Sequence, residues 1–283
     1  MLDFQGKVAV ITGAGSGIGR ALAHLFASKG CHLVLADIQL NALQQVEAEL
    51  AGSAGRIVLQ PCNVMQEGDV QALADTAFNT FGAVHLLFNN AGVITGGPLW
   101  ECSLADYDWV IGVNVYGIIH AIRAFVPRLI AQTEPSHIVN TASMAAHTAM
   151  PFAGIYHSSK SMAAMLSESL YHDLSLTAPQ VKVSVLCPEF VQTGIANAVQ
   201  HRPQTHPSTA IPESREMVLQ MLADAAHGAD SVTPDAIAER VLAAIQAEQF
   251  WILANKGDKW LDCAMTRQDD IRQLRNPTLQ TPF

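Results

Sequence analysis

Three groups of residues in this chain have the types and spacing needed for chemistry. The first is the glycine run Thr12-Gly-Ala-Gly-Ser-Gly-Ile-Gly19. Gly13, Gly17 and Gly19 let a backbone turn tightly and approach a pyrophosphate, whose charge meets the free N–H groups and positive dipole end of a following helix. A plain glycine turn is the competing reading, but the run stands between a strand pattern and a helix pattern, the context that dinucleotide binding requires. The second is Asp37, 18 residues beyond Gly19. A carboxylate there accepts hydrogen bonds from the hydroxyls of an adenine ribose and repels a 2′-phosphate. The places where a phosphate-binding base would stand hold Ser16 and Ile38, so NAD is expected over NADP; the other reading of Asp37 is a helix N-cap. The third group is Ser143, Tyr156 and Lys160. Tyr156 and Lys160 are four apart on an expected helix and share a face, so the ammonium can lower the phenol's pKa from about 10. A tyrosine so poised serves as general acid or base toward a carbinol or carbonyl, and Ser143 can hold the same oxygen.

These residues need a scaffold, and the hydrophobic pattern supplies one. Strands are expected at 7–11, 32–36, 56–60, 84–88, 137–140 and 181–186, alternating with helices at 18–28, 40–50, 67–81, 105–130 and 153–176. Strand and helix in alternation imply right-handed crossovers and a parallel sheet, because parallel neighbours cannot be joined by a tight turn. The fold class is therefore α/β, a doubly wound Rossmann fold of about seven parallel strands with helices on both faces. After Pro188 the rhythm fails until about Ser231, in a segment holding Pro203, Pro207 and Pro212; a loop this long is expected to be a lid or binding loop. A helix to about Ala247 and a last strand at 250–253 follow. Residues 1–256 are expected to form one domain including a lid at 188–232, and residues 257–283 a polar tail with one amphipathic piece.

Composition narrows the function classes. The chain has 283 residues, 49% hydrophobic, with a mean hydropathy of +0.20, which excludes a disordered chain. A net charge of -9 without any basic run argues against nucleic-acid binding. Charged residues make up only 14%, which hints at surface buried between subunits. The N-terminus lacks the basic start and apolar core of a signal peptide, and no apolar stretch reaches the ~18 residues of a membrane span, so a cytoplasmic protein is expected. The five cysteines stand far apart, and the 11 histidines form no HExxH or i, i+4 pair; no metal is implied.

Together, TGAGSGIG (12–19), NNAG (89–92), Asn114, Ser143, YHSSK (156–160) and the segment at Pro188 resemble the short-chain dehydrogenase/reductase family in its compact form. They stand in that family's order and span nearly all of residues 7–195. The resemblance implies that Tyr156 is the acid/base, that Lys160 lowers its pKa and binds the nicotinamide ribose, and that Ser143 orients the substrate oxygen. Asn114 would hold a water relaying protons to Lys160; a polar residue that kinks or satisfies its helix is the other reading. Within the glycine run, Gly13, Ser16, Gly17, Ile18 and Gly19 would face the cofactor, with Asp37 and Ile38. Asn90, Ala91 and Gly92 would pass beside the adenine ribose, Asn63 and Val64 would touch the adenine, and Pro188, Val191 and Thr193 would meet the nicotinamide end. Asn63 replaces the family's usual Asp, and its carbonyl oxygen can still accept from the adenine amino group. Glu189 stands where the family usually has Gly, either reshaping the pocket or meeting substrate.

The reading that results is NAD(H)-dependent interconversion of a secondary alcohol and a ketone. Ile195, Ala198, Val199, Ile211, Met217, Val218, Leu219, Met221 and Leu222 suggest an apolar lid suited to a hydrophobic or cyclic substrate; these residues would otherwise simply pack a helix onto the sheet. Alternatives are an NADP(H)-dependent carbonyl reductase, an epimerase or dehydratase, and a dinucleotide sensor without turnover. A homotetramer or homodimer through 105–130 and 153–176 is implied, and the tail with Trp260, Leu261, Met265, Ile271 and Leu274 would cover a neighbour's site or pack on its own subunit.

Overall fold

The computed structural model describes residues 3–202, 213–228, 230–254 and 257–279. In chain order the elements are β1 (Val8–Thr12), α1 (Gly17–Ser28), β2 (His32–Asp37), α2 (Leu40–Glu49), β3 (Ile57–Pro61), α3 (Glu67–Phe81), β4 (Leu86–Asn89), α4 (Leu104–Ile111), a π-helical turn (Gly112–Tyr116), α5 (Gly117–Ala131), β5 (Ser136–Thr141) and α6 (Gly154–Thr177). There follow β6 (Val181–Pro188), a 3-10 segment (Ile195–His201), α7 (Glu213–His227), α8 (Pro234–Ala247), β7 (Trp251–Ala254) and α9 (Lys259–Arg272).

The seven strands form one parallel sheet in the order β3-β2-β1-β4-β5-β6-β7. Alternate side chains of each strand feed opposite cores. Ala9, Ile11, Leu33 and Leu35 pack under α1, α2 and α8, whereas Val8, Val10, Val34 and Ala36 pack under α3, α5 and α6. On the first face Phe26 is fully buried between the rings of Phe4 and Phe88, at centroid separations of 5.5 and 5.0 Å. Because all strands run one way, their carboxyl ends share one edge of the sheet. Strand order reverses between β1 and β4, so the loops after these two strands diverge and leave a crevice.

Three features depart from the pattern read in the sequence. The stretch expected as one helix over 105–130 is two helices joined by the π-helical turn, with Asn114 at its centre. Leu104–Ala131 is also long and apolar enough to cross a membrane by length and composition, with mean hydropathy 1.5 in its richest window. Scattered polar residues hid this from a search for uninterrupted apolar runs, and 67% of that window is buried against the sheet and α3. Finally, the segment after Pro188 is not a plain loop: it contains the 3-10 segment and the 15-residue α7. Pro203, Pro207, Ile211 and Pro212 lie outside the described residues.

Candidate active site

The glycine turn follows β1, NNAG ends β4, Ser143 follows β5 and Pro188 ends β6, so sheet topology alone gathers them at the carboxyl edge. There they line a cavity of about 300 Å³. Of the residues expected to bind cofactor, Gly13, Ser16, Gly17, Ile18, Asp37, Ile38, Asn63, Val64, Asn90, Ala91, Gly92, Pro188, Val191 and Thr193 all line it, as do Ser143, Tyr156 and Lys160.

The glycine turn is held from several sides. Gly13 has φ +65, and a Cβ there would lie 3.0 Å from the Ala91 Cα. Gly17 has φ +51 and would meet Thr193 at 3.0 Å. Gly19 does not line the cavity: it packs beneath the turn, where a Cβ would fall 2.1 Å from the Gly13 carbonyl oxygen. Two further residues that sequence reasoning gave no role complete the arrangement. Gly15 donates its N–H to Asp37 Oδ2 at 3.0 Å, and Thr12 Oγ1 accepts the N–H groups of Asn90 and Ala91 at 2.9 and 3.1 Å, tying the end of β1 to NNAG. Asp37 does not cap α2, whose N-cap is Gln39. Its Oδ1 accepts the Gln39 N–H at 3.0 Å, so both carboxylate oxygens are oriented by backbone. Asn63 Oδ1 accepts the Met65 N–H at 3.1 Å, leaving its second lone pair for any other donor.

At the other end, Tyr156 and Lys160 lie on successive turns of α6. Lys160 Nζ is 5.7 Å from the Tyr156 ring centroid and donates to the Thr141 carbonyl at 2.9 Å. Ser143 Oγ accepts the Ala145 N–H at 3.1 Å and donates to the Pro188 carbonyl at 3.2 Å. In this cavity the phenol is not lowered below its ordinary value. Burial pushes Tyr156 up to about 12, against an opposing hydrogen bond with Ser143, and burial pushes Lys160 down to about 8. Desolvation disfavours both charged forms.

Asn114 does not line the cavity; both N–H groups of its amide are engaged, and its Oδ1 keeps one lone pair. Oδ1 accepts the Val93 N–H at 2.9 Å, while Nδ2 donates to the Val93 carbonyl and to Ser159 Oγ, both at 2.9 Å. Ser159 Oγ in turn donates to the Tyr156 carbonyl at 2.7 Å. The π-helical turn thus lets one side chain pin the loop after β4 to the backbone of the Tyr156 turn; such turns often mark functional positions.

Other lining residues were not singled out from sequence: Trp109 of α4, Phe190, and His157, whose Nδ1–H donates to the Thr148 carbonyl at 2.9 Å. Burial lowers His157, which stays neutral. Glu189 lines the cavity too. From the tail, α9 places Trp260 in the wall of its own subunit's cavity, 5.7 Å from the ring of Phe190 and edge-on to it. Of the apolar lid candidates, Ile195, Ala198, Val218, Met221 and Leu222 line the cavity, Val199 packs beside Trp109, and Met217 is exposed.

Residues suited to a dinucleotide are present: a turn that only glycine can make, a backbone-oriented carboxylate for a ribose at one end, and an ammonium and phenol at the other.

Comparison with known proteins agrees. Residues 7–204 match the short chain dehydrogenase family. The chain is 34% identical over 257 residues to 1-deoxy-11-beta-hydroxypentalenate dehydrogenase of Streptomyces exfoliatus, covering 90% of this chain and 85% of the relative. It is 33% identical over 257 residues to a C alpha-dehydrogenase of Sphingobium sp., covering 89% and 82%. The crystal structure of a short chain dehydrogenase/reductase from Burkholderia phymatum in complex with NAD superposes with a TM-score of 0.92 at 44% identity, covering 98% of each chain. The family match and the shared architecture make this chain an oxidoreductase of the short-chain dehydrogenase/reductase family.

Proposed function

We propose that the protein interconverts a secondary alcohol and a ketone with NAD(H), on a hydrophobic or cyclic substrate. The observation that carries this reading is the convergence of Ser143, Tyr156 and Lys160 on the cavity that also holds the glycine turn and Asp37. When bound, the nicotinamide supplies the hydride acceptor or donor. For oxidation, the Tyr156 oxygen takes the hydroxyl proton of the substrate, and Ser143 donates to the same substrate oxygen as charge builds there. Lys160 stabilises the phenolate and holds a ribose hydroxyl. Lys160 is buried with one hydrogen bond, to the Thr141 carbonyl, so its remaining N–H groups are left for the phenolate and the ribose.

Asp37 supports NAD over NADP, since a fixed carboxylate next to an apolar Ile38 repels a 2′-phosphate and offers it no base. The substrate class rests on the wall, which is built from Met150, Trp109, Val218, Met221, Leu222 and Trp260. A relative named for a hydroxylated compound and a dehydrogenase reaction is in keeping with it. We also infer one domain with the 188–232 segment as its substrate-side cover, and a homo-oligomer through α5 and α6, where Tyr116, just before α5, and Met162 and Met165 of α6 are exposed. Light scattering tests the assembly, with a monomeric mass refuting it.

The first test of the function is fluorescence titration with NADH and NADPH, followed by an absorbance screen of secondary alcohols with the tighter-binding cofactor. Tight NADH binding and turnover of an apolar alcohol are expected. Preference for NADPH would refute the role given to Asp37, and binding without turnover of any alcohol would favour a sensor.

A further inference from the structure

Away from the proton-transfer groups, one carboxylate gathers an unusual set of partners. Asp106, in the first turn of α4, is 2% exposed. Its Oδ2 accepts from the Ser103 N–H at 2.9 Å and from Ser103 Oγ at 2.7 Å, closing a capping box at the start of the helix. The same oxygen accepts from Arg215 Nη2 at 2.9 Å, and Oδ1 accepts from Arg202 Nη1 at 2.6 Å. The arginine side chains are 3% and 7% exposed. Burial raises the Asp106 carboxyl, but the hydrogen bonds from Ser103 and the charges of Arg215 and Arg202 outweigh it, so the group is held below its ordinary value and is ionised at neutral pH.

A capping box explains an acidic residue at this helix position. It does not explain two buried guanidinium groups, which come from the two segments that close the substrate side of the cavity. Arg202 ends the 3-10 segment that places Ile195 and Ala198 in the cavity wall. Arg215 lies in α7, which places Val218, Met221 and Leu222 there. Arg215 also donates from Nε to the Gly96 carbonyl at 3.1 Å, and α7 sits so close to that loop that a Cβ on Gly96 would lie 2.7 Å from Val218. One turn along α4, Trp109 packs with Ala198 and lines the same wall.

We propose that Asp106 is a positioning residue for the reaction: through Arg202 and Arg215 it fixes both wall segments against α4 and so sets the shape of the substrate site. The proposal rests on the reading that this cavity takes the substrate. An asymmetry follows from the charges. Losing one arginine leaves a paired carboxylate, whereas losing the carboxylate leaves two buried cations facing each other. Asp106→Asn is therefore more damaging than Arg202→Met or Arg215→Met.

The test compares Arg202→Met, Arg215→Met and Ser103→Ala with the unaltered protein. Substrate kinetics use the alcohol found by the screen, NADH affinity is measured by fluorescence, and hydrogen exchange is followed by mass spectrometry. Each arginine variant is expected to raise KM for the alcohol about tenfold or more, with kcat and NADH affinity within about threefold, because the loss falls on substrate binding and not on proton transfer. Both are expected to speed exchange in 195–202 and 213–228. Ser103→Ala removes part of the cap while leaving the arginine contacts, so it is expected to speed exchange only at the start of α4 and to leave KM within about twofold. An unchanged KM in both arginine variants, or unchanged exchange in both wall segments, overturns the proposal. Should a Met variant fail to fold, Arg215→Lys keeps the charge but cannot hold the Gly96 carbonyl and Asp106 together as the guanidinium does, and wild-type exchange and KM in that variant would count equally against it. If the protein turns over no alcohol, exchange and NADH affinity still decide whether Asp106 anchors the wall, independently of the reaction assigned.

Discussion

Lys160 and Tyr156 face each other across 5.7 Å, yet the hydrogen bond of the ammonium goes to the Thr141 carbonyl and not to the phenol. With burial driving the phenol up to about 12 and the ammonium down to about 8, the pair sits in the protein as two groups that both resist ionisation. Its chemistry depends on what fills the cavity.

A stability consequence has a definite sign. Lys160 loses its proton at a lower pH folded than unfolded, so between about 8 and its ordinary value of 10.5 the unfolded chain binds more protons and this group makes stability rise with pH. Tyr156 acts oppositely from 10 to about 12. Urea unfolding of the unaltered protein and Lys160→Met is expected to show a difference in stability that changes across pH 8 to 10, with the unaltered protein gaining. A flat difference would mean that Lys160 is hydrated.

Tyr156→Phe is expected to bind NADH within about twofold of the unaltered protein and to lose about 100- to 10,000-fold in turnover, the range for removing a general acid or base. Steady-state assays with a fluorescence titration separate the two. Alcohol oxidation is expected to rise with pH and ketone reduction to fall, because the first needs the deprotonated phenol and the second the protonated one.

Asp37→Asn with Ile38→Arg is expected to shift the NADH-to-NADPH affinity ratio about tenfold or more toward NADPH, since a repelling charge is replaced by one that pairs with phosphate. Titration of both cofactors checks this, and an unmoved ratio would take the adenine ribose away from Asp37.

Gly15→Ala places a Cβ 2.7 Å from that of Ala42 and 3.0 Å from Asp37 Oδ2, and is expected to cost about 1–3 kcal/mol of stability together with cofactor affinity. Gly68→Ala in α3 meets nothing within 4 Å and is expected to gain about 0.5–1 kcal/mol instead. Urea denaturation of the two variants compares them directly.

The parts of the fold legible from sequence are those with local causes. Alternating strand and helix periods predict the parallel sheet, and α3 spans 67–81 as its pattern indicates. The glycine turn, NNAG and the four-residue spacing of Tyr156 and Lys160 are also local, and the topology brings them to one cavity edge because parallel strands end together. Tertiary structure decided the rest. Asn114 reads as a polar interruption of a helix, and only packing shows that a π-helical turn spends its amide on Val93 and Ser159. Trp260 reads as tail, yet contact with Phe190 puts it in the cavity wall of its own subunit. Nothing in the local sequence marks Asp106 as an anchor: its bond to Ser103 spans three positions, whereas its bonds to Arg202 and Arg215 span 96 and 109. Periodicity and propensity carry no information about partners so far apart; which buried charge meets which is set only when the segments carrying them pack together.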